Sequence, residues 1–206
     1  HRDLHSFPTR RSSDLAGSEA AWQISKQGIR VKLIEMRPKV MTKAHRTDSL
    51  AELVCSNSFR GVDLSNAVGL LKEELRKLGS LIMEAADYAK VPAGGALAVD
   101  RVLFSSYVTD KLKNNPLIEI VTDEVCDIPA SSKQNPVIIA TGPLTSKPLC
   151  TAIQKLTGNE NLAFFDAISP VILRDSLNMD ELFWQSRYDK GDGADYLNIP
   201  LSRETY

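Results

Sequence analysis

A few positions in this chain carry residue types that could do chemistry. Gly17 opens a helical pattern, and Glu35 closes the strand pattern that follows, 18 residues later. Together they match the second half of a dinucleotide-binding signature, although a lone glycine before a helix is mostly a turn and a glutamate after a strand mostly surface. Glycine lets the backbone approach a pyrophosphate, the helix N-terminus stabilises its negative charge, and an acid at the next strand end accepts from ribose hydroxyls. A complete G-x-G-x-x-G turn would place its first two glycines at positions 12 and 14, which hold Ser12 and Asp14. Asp14 puts a side chain and a negative charge where phosphate should lie, and no apolar strand precedes it. Thr141-Gly142 follows the apolar run 136–140 (PVIIA), and small residues at a strand end let backbone pass close to a bound dinucleotide. Many strands end this way without a ligand. Cys55, after Leu53 and Val54, reads on its own as a buried inert thiol. As a nucleophile it would need a pKa lowered by cations or a helix N-terminus.

The elements that must position these residues follow an αβ pattern. Residues 16–27 read as a helix with Ala20, Ala21, Trp22 and Ile24 on its apolar side, stopped by Gly28. Residues 29–34 (IRVKLI) alternate and are β-branched, a strand signal. The polar stretch 35–49 has no strong periodicity. Residues 64–78 predict a helix with Val68, Leu71, Leu75 and Leu78 on one face and Glu73 paired to Lys77. Residues 91–98 predict a loop or short strand. Asp100 caps a helix through about Lys113, with Leu103, Tyr107, Val108 and Leu112 inward. Residues 117–121, 124–128 and 136–140 read as strands, the last one buried, and 146–156 as a helix. Aromatic residues then become more frequent, which marks the start of a second domain.

Composition sets wide bounds. The chain has 206 residues, 43% hydrophobic and 25% charged, an ordinary globular profile for one or two domains. No apolar run approaches the ~18 residues of a membrane helix, and no signal-peptide core is present. Cys55, Cys126 and Cys150 are an odd number at wide spacings, without a C-x-x-C pair. That argues against a disulfide framework or a zinc site and for a reducing cytoplasm. Cys126 and Cys150 sit in strand-like and helix-like apolar settings and read as structural. Net charge is −1, which lends no support to a dedicated nucleic-acid-binding domain. Lys39, Lys43, His45, Arg46 and Arg60 form a modest basic cluster. It reads as a solvated loop by default, with a phosphate-contacting surface as the alternative.

Several stretches together resemble one family. They are LAGSEAAWQ (15–23), IEMRP (34–38), AELVCSNSFR (51–60), NAVGLLKEELRKL (66–78), VPAGGALAVDR (91–101), IIATGPLTS (138–146) and SRYDKG (186–191). They are similar to the FAD-dependent, methylenetetrahydrofolate-using tRNA (uracil-5-)-methyltransferases, the TrmFO family. The likeness runs over nearly everything from Leu15 to Tyr206. The larger relatives that modify the tRNA wobble uridine share the fold but match less well at 51–60 and 91–101. The resemblance implies an α/β fold: a Rossmann-like FAD-binding domain of the glutathione-reductase type over 15–148, lacking its first strand, and the beginning of an insertion domain over 149–206. It implies ribothymidine formation in the tRNA T-loop. Carbon comes from 5,10-methylenetetrahydrofolate, reduced FAD carries it and supplies reducing equivalents, and NAD(P)H restores the flavin. Cofactor contacts then fall on Leu15, Ala16, Gly17, Glu35, Met36, Arg37, Val125, Thr141 and Gly142, with no metal. Uracil C5 becomes nucleophilic only after a thiolate adds to C6. In the family that thiol lies beyond residue 206, and a second functional cysteine, near the flavin, matches Cys55.

Residues 1–14 (HRDLHSFPTRRSSD) match neither the family nor any element pattern. They read as a foreign segment rather than a flexible native tail. A central parallel strand of about five apolar side chains is worth roughly 8–15 kcal/mol at about 1.5–3 kcal/mol each. That rivals the roughly 5–15 kcal/mol stability of a whole domain. The expectation is a chain that binds FAD weakly or not at all. Two further readings stand beside the methyltransferase: another FAD oxidoreductase of the same fold, and a non-catalytic fragment.

Overall fold

The computed structural model describes residues 15–158, 172–186 and 194–203. In chain order the elements are α1 (Leu15–Lys26), β1 (Val31–Glu35), β2 (Ser58–Gly61), α2 (Ala67–Lys77), α3 (Leu81–Tyr88), β3 (Lys90–Val91), β4 (Ala96–Val99), α4 (Arg101–Lys113), β5 (Ile118–Thr122), α5 (Lys147–Thr157), β6 (Phe183–Trp184) and β7 (Leu197–Asn198). The strand expected ahead of α1 would fall on residues outside the described set.

The chain runs from α1 into β1 through Gly28, whose φ of +75° suits glycine at a helix stop. Val31, Leu33, Ile34 and Glu35 of β1 are all buried, as in a strand covered on both faces. β1 pairs in parallel with β5, from Val31 opposite Ile118 to Glu35 opposite Thr122. Parallel neighbours need a crossover. Here it carries an antiparallel sheet of order β2-β4-β3 and the helices α2, α3 and α4. The main core joins Leu33 of β1 to Leu81 of α3, Leu97 of β4 and Phe104, Val108 and Leu112 of α4. Burying each such side chain is worth about 1.5–3 kcal/mol. Phe59 of β2 packs on Phe104 with ring centroids 5.4 Å apart, which seats the small sheet on α4.

Asp100 caps α4 as its sequence requires, accepting from the backbone N–H groups of Val102 and Leu103 at 2.9 Å each. Val108 and Leu112 face inward as expected. Leu103 does not: it is 49% exposed, and Phe104 takes the inward position. α2 forms where expected, and Val68 and Leu75 are half-buried, Leu75 against the core, but Leu71 is 54% and Leu78 67% exposed. Gly69 decides this. A Cβ there would lie 2.0 Å from the Asp63 carbonyl oxygen, so the helix packs by its glycine against backbone and turns those leucines outward. Glu73 pairs with Arg76 at 3.7 Å rather than with Lys77, because Arg76 is also drawn to Asp87 at 2.7 Å.

Two expected strands are absent. Residues 124–128 and 136–140 join no ladder, and Ile138 and Ile139 are each 37% exposed. An apolar run becomes a buried strand only when a neighbour satisfies its backbone N–H and C=O groups. Among the described residues none flanks these two. Beyond α5, Tyr196 donates its hydroxyl to the Ala93 carbonyl at 2.8 Å, tying the β7 region to the β3–β4 turn. The expected boundary at 148/149 falls inside α5.

Candidate functional site

β1 and β5 end side by side, and the chain leaves both ends toward the same place. The Asp123 N–H donates to the Glu35 carbonyl at 2.9 Å and closes the ladder. A narrow apolar cleft opens there between Ile34, Met36, Val125, Ile139, Thr141 and Leu149. Met36, Val125 and Thr141, grouped by the resemblance as cofactor contacts, all line this cleft. The cleft encloses about 30 Å³, enough to hold ordered water. Its lining is mostly apolar, with Asp123, Thr141 and Ser146 as its polar groups. Gly142 has φ +61°, a conformation that favours glycine, and its carbonyl accepts from the Thr145 hydroxyl at 2.9 Å. Lys39 reaches across the cleft mouth to Asp123 at 3.2 Å.

Glu35 lies at the end of β1, 2% exposed, where an acid facing ribose hydroxyls is expected. Its Oε1 accepts from the Arg37 backbone N–H at 3.0 Å and from Arg37 Nε at 2.9 Å. Arg37 is itself 2% exposed, the largest fully buried side chain among the described residues. Its Nη1 donates to the Thr47 carbonyl at 3.0 Å and Glu52 Oε2 at 2.9 Å, and its Nη2 to the Ser49 carbonyl at 2.9 Å. A planar guanidinium suits this work, because its donors point in fixed and different directions. Glu52 answers from the other side. Its carboxylate accepts from the Arg46 and Thr47 N–H groups at 2.8 and 3.1 Å and from the Thr47 hydroxyl at 2.8 Å. Burial alone would raise the Glu52 pKa. The hydrogen bonds from Arg46 and Thr47 and the Arg37 charge outweigh it and hold the carboxyl below its ordinary value.

Cys55 follows on this loop. Leu50 and Ala51, 2% and 1% exposed, pin the segment to the core, and the Leu50 N–H donates to the Thr109 hydroxyl of α4 at 2.9 Å. Asn57 and Val99 exchange two bonds of 3.0 Å each, anchoring the far end on β4. The Cys55 thiol is half-buried between these anchors rather than in the core. Cys126 is exposed, contrary to a structural role, because the strand expected to bury it does not form. Cys150 is half-buried in α5. Glu52 and Thr47 had no visible signal in the sequence, since their partners are backbone groups and one arginine fifteen positions earlier.

Gly17 is buried in the first turn of α1, beside Leu15 and Ala16. One residue on, the Ser18 hydroxyl is buried and has no hydrogen-bond partner among the described residues. A buried hydroxyl left unpaired is the kind of group a ligand satisfies. The unpaired Ser18 hydroxyl at a helix start and the Glu35 carboxylate at a strand end are groups of the kind that hold phosphate and ribose. Of the basic cluster, Lys39 is paired, His45 bonds the Thr42 hydroxyl at 2.7 Å, and Lys43, Arg46 and Arg60 are exposed. No group of His, Cys, Asp or Glu among the described residues could hold a metal ion, and no described helix is long and apolar enough to cross a membrane.

Comparison with known proteins gives a consistent result. Methylenetetrahydrofolate–tRNA-(uracil-5-)-methyltransferase TrmFO of Rhodopseudomonas palustris is 61% identical over 197 residues, covering 93% of this chain and 41% of that protein. The protein of the same name from Geobacter sulfurreducens is 59% identical over 192 residues, covering 93% and 43%. The chain thus spans about two fifths of the length of these relatives. Among solved structures, two crystal forms of Aquifex aeolicus GidA superpose with TM-scores of 0.53 and 0.51 at 16% and 17% identity. They cover 69% and 68% of this chain and 26% of GidA, and they establish the fold. The model of the family described as glucose inhibited division protein A matches residues 14–206, and the chain belongs to that family.

Proposed function

We propose that this protein acts in the flavin- and folate-dependent C5-methylation of a T-loop uridine of tRNA. Carbon comes from 5,10-methylenetetrahydrofolate and reducing equivalents from NAD(P)H. The observation that carries this reading is identity of about 60% to proteins named as methylenetetrahydrofolate-dependent tRNA uracil methyltransferases, over 93% of the chain. Bound FAD supplies the redox chemistry. The residues of this chain supply the setting. Leu15, Ala16 and Gly17 present the start of α1 to phosphate, and Glu35 faces the ribose. Met36, Val125, Thr141 and Gly142 form the wall at the strand ends, and Arg37 sits behind it. Cys55 is the thiol placed beside the flavin.

The test uses the uninterrupted reading frame of the source gene, incubated with FAD, NADPH, labelled methylenetetrahydrofolate and tRNA. Label in ribothymidine of the T-loop, lost in Cys55→Ser, is the expected result. Label at the wobble uridine, or folate turnover independent of tRNA, contradicts the reading. The chain itself, with Ser12 and Asp14 in the phosphate turn, is expected to bind FAD weakly. Stoichiometric flavin absorbance in a purified sample of it would overturn that expectation.

A further inference from the structure

We propose that Arg37 is a positioning residue for Cys55, acting through Thr47, Ser49 and Glu52. The inference rests on reading Cys55 as the functional thiol. Three observations carry it. Arg37 joins the end of β1 to both sides of the loop that leads to Cys55, through Glu35 on one side and Thr47, Ser49 and Glu52 on the other. The far end of the same segment is fixed by the paired bonds between Asn57 and Val99. Only residues 53–56 lie between Glu52 and Asn57, so the thiol sits on a span of four residues pinned at both ends. Within the segment Ala51 holds φ +56°, which a non-glycine residue keeps only where its surroundings over-determine it.

No helix or strand holds residues 36–57, so these side-chain bonds do that work. Lysine cannot replace the guanidinium, because one ammonium does not reach four acceptors spread around a plane. If the network serves stability alone, weakening it lowers the melting temperature and leaves the thiol of the folded protein unchanged. If it positions Cys55, the thiol responds while the fold persists.

The experiment compares Arg37→Lys and Glu52→Gln in a background where Cys126 and Cys150 are serine. Folding is confirmed by circular dichroism. Alkylation of Cys55 by iodoacetamide, well below the melting temperature, is expected to change by on the order of tenfold as the segment opens locally. In the full reading frame kcat for methyl transfer is expected to fall by on the order of a hundredfold, with KM for tRNA unchanged, because misplacement affects the reacting geometry rather than binding. Alkylation and kcat both within about twofold of the parent, in folded variants, would overturn the proposal. Glu52→Gln keeps the side-chain shape and the Arg37–Glu35 pair, so it decides the outcome if Arg37→Lys does not fold. Methyl transfer that survives Cys55→Ser would instead refute the reading of the thiol, which the alkylation measurement does not depend on.

Discussion

Residues 36–57 and residues 123–141 leave neighbouring strand ends, and neither contains a helix or strand. One is closed around a buried side-chain network and the other is not. The first is rich in charge, yet it closes around Arg37 and Glu52 with bonds of 2.8–3.1 Å and buries Leu50, Ala51 and Leu53. The second is rich in Val and Ile, yet it leaves Ile138 and Ile139 over a third exposed. Apolar composition favours burial but does not supply partners for the backbone. A buried guanidinium with convergent carbonyls supplies those partners without any regular structure.

The comparison can be broken most sharply at Arg37. Arg37→Met leaves the Glu35 carboxylate buried without its cation, and unfolding by urea is expected to show a loss of about 3–5 kcal/mol. A loss below about 1 kcal/mol would mean that the loop is held by its leucines instead.

Glu52→Gln removes charge but keeps shape, and a loss of about 1.5–3 kcal/mol at neutral pH is expected. Because the folded Glu52 pKa lies below its ordinary value, its contribution is present above the ordinary glutamate range and is lost as pH falls through the folded value. A pH series of urea melts should therefore show a smaller acid-side loss in Glu52→Gln than in the parent. Parallel curves would remove Glu52 from the account.

Smaller effects separate the two helix starts. Asp100→Ala discards two capping bonds and is expected to cost about 1 kcal/mol. Ser146, which precedes α5 beside the loose region, makes no side-chain capping bond. Ser146→Ala is expected to change stability by less than about 0.5 kcal/mol. Thermal melts of the two variants check the contrast. Ile139→Ser, on the unheld wall, is expected to fall within about 0.5 kcal/mol of the parent, and a larger loss would show that this segment is packed after all.

Which parts of this were legible in the sequence follows from what periodicity records. α1, β1, α4 and β5 were readable because each carries its own pattern and stop: Gly28 after α1, Asp100 before α4. α3 was missed although Ser80 caps it, its hydroxyl accepting from the Met83 N–H at 3.2 Å. Of the α2 face, Val68 and Leu75 follow the helical period, while Leu71 and Leu78 turn outward because Gly69 sets the close approach to Asp63. The run 136–140 encodes a wish for burial and says nothing of which strand lies beside it. Met36, Val125 and Thr141 could be grouped by the resemblance, and the structure gathers them at one cleft. The Arg37–Glu52 bond links residues fifteen apart in a polar stretch without period, so only coordinates reveal it.

Amide hydrogen exchange compares the two regions directly. The Arg46, Thr47 and Leu50 amides, bonded to Glu52 and Thr109, are expected to exchange slowly, while those of Ile138 and Ile139 exchange fast. In Arg37→Lys the first group should lose its protection before the β1–β5 amides do. Equal, fast exchange of both regions in the parent would contradict the claim that a side-chain network, rather than regular structure, holds the Cys55 segment in place.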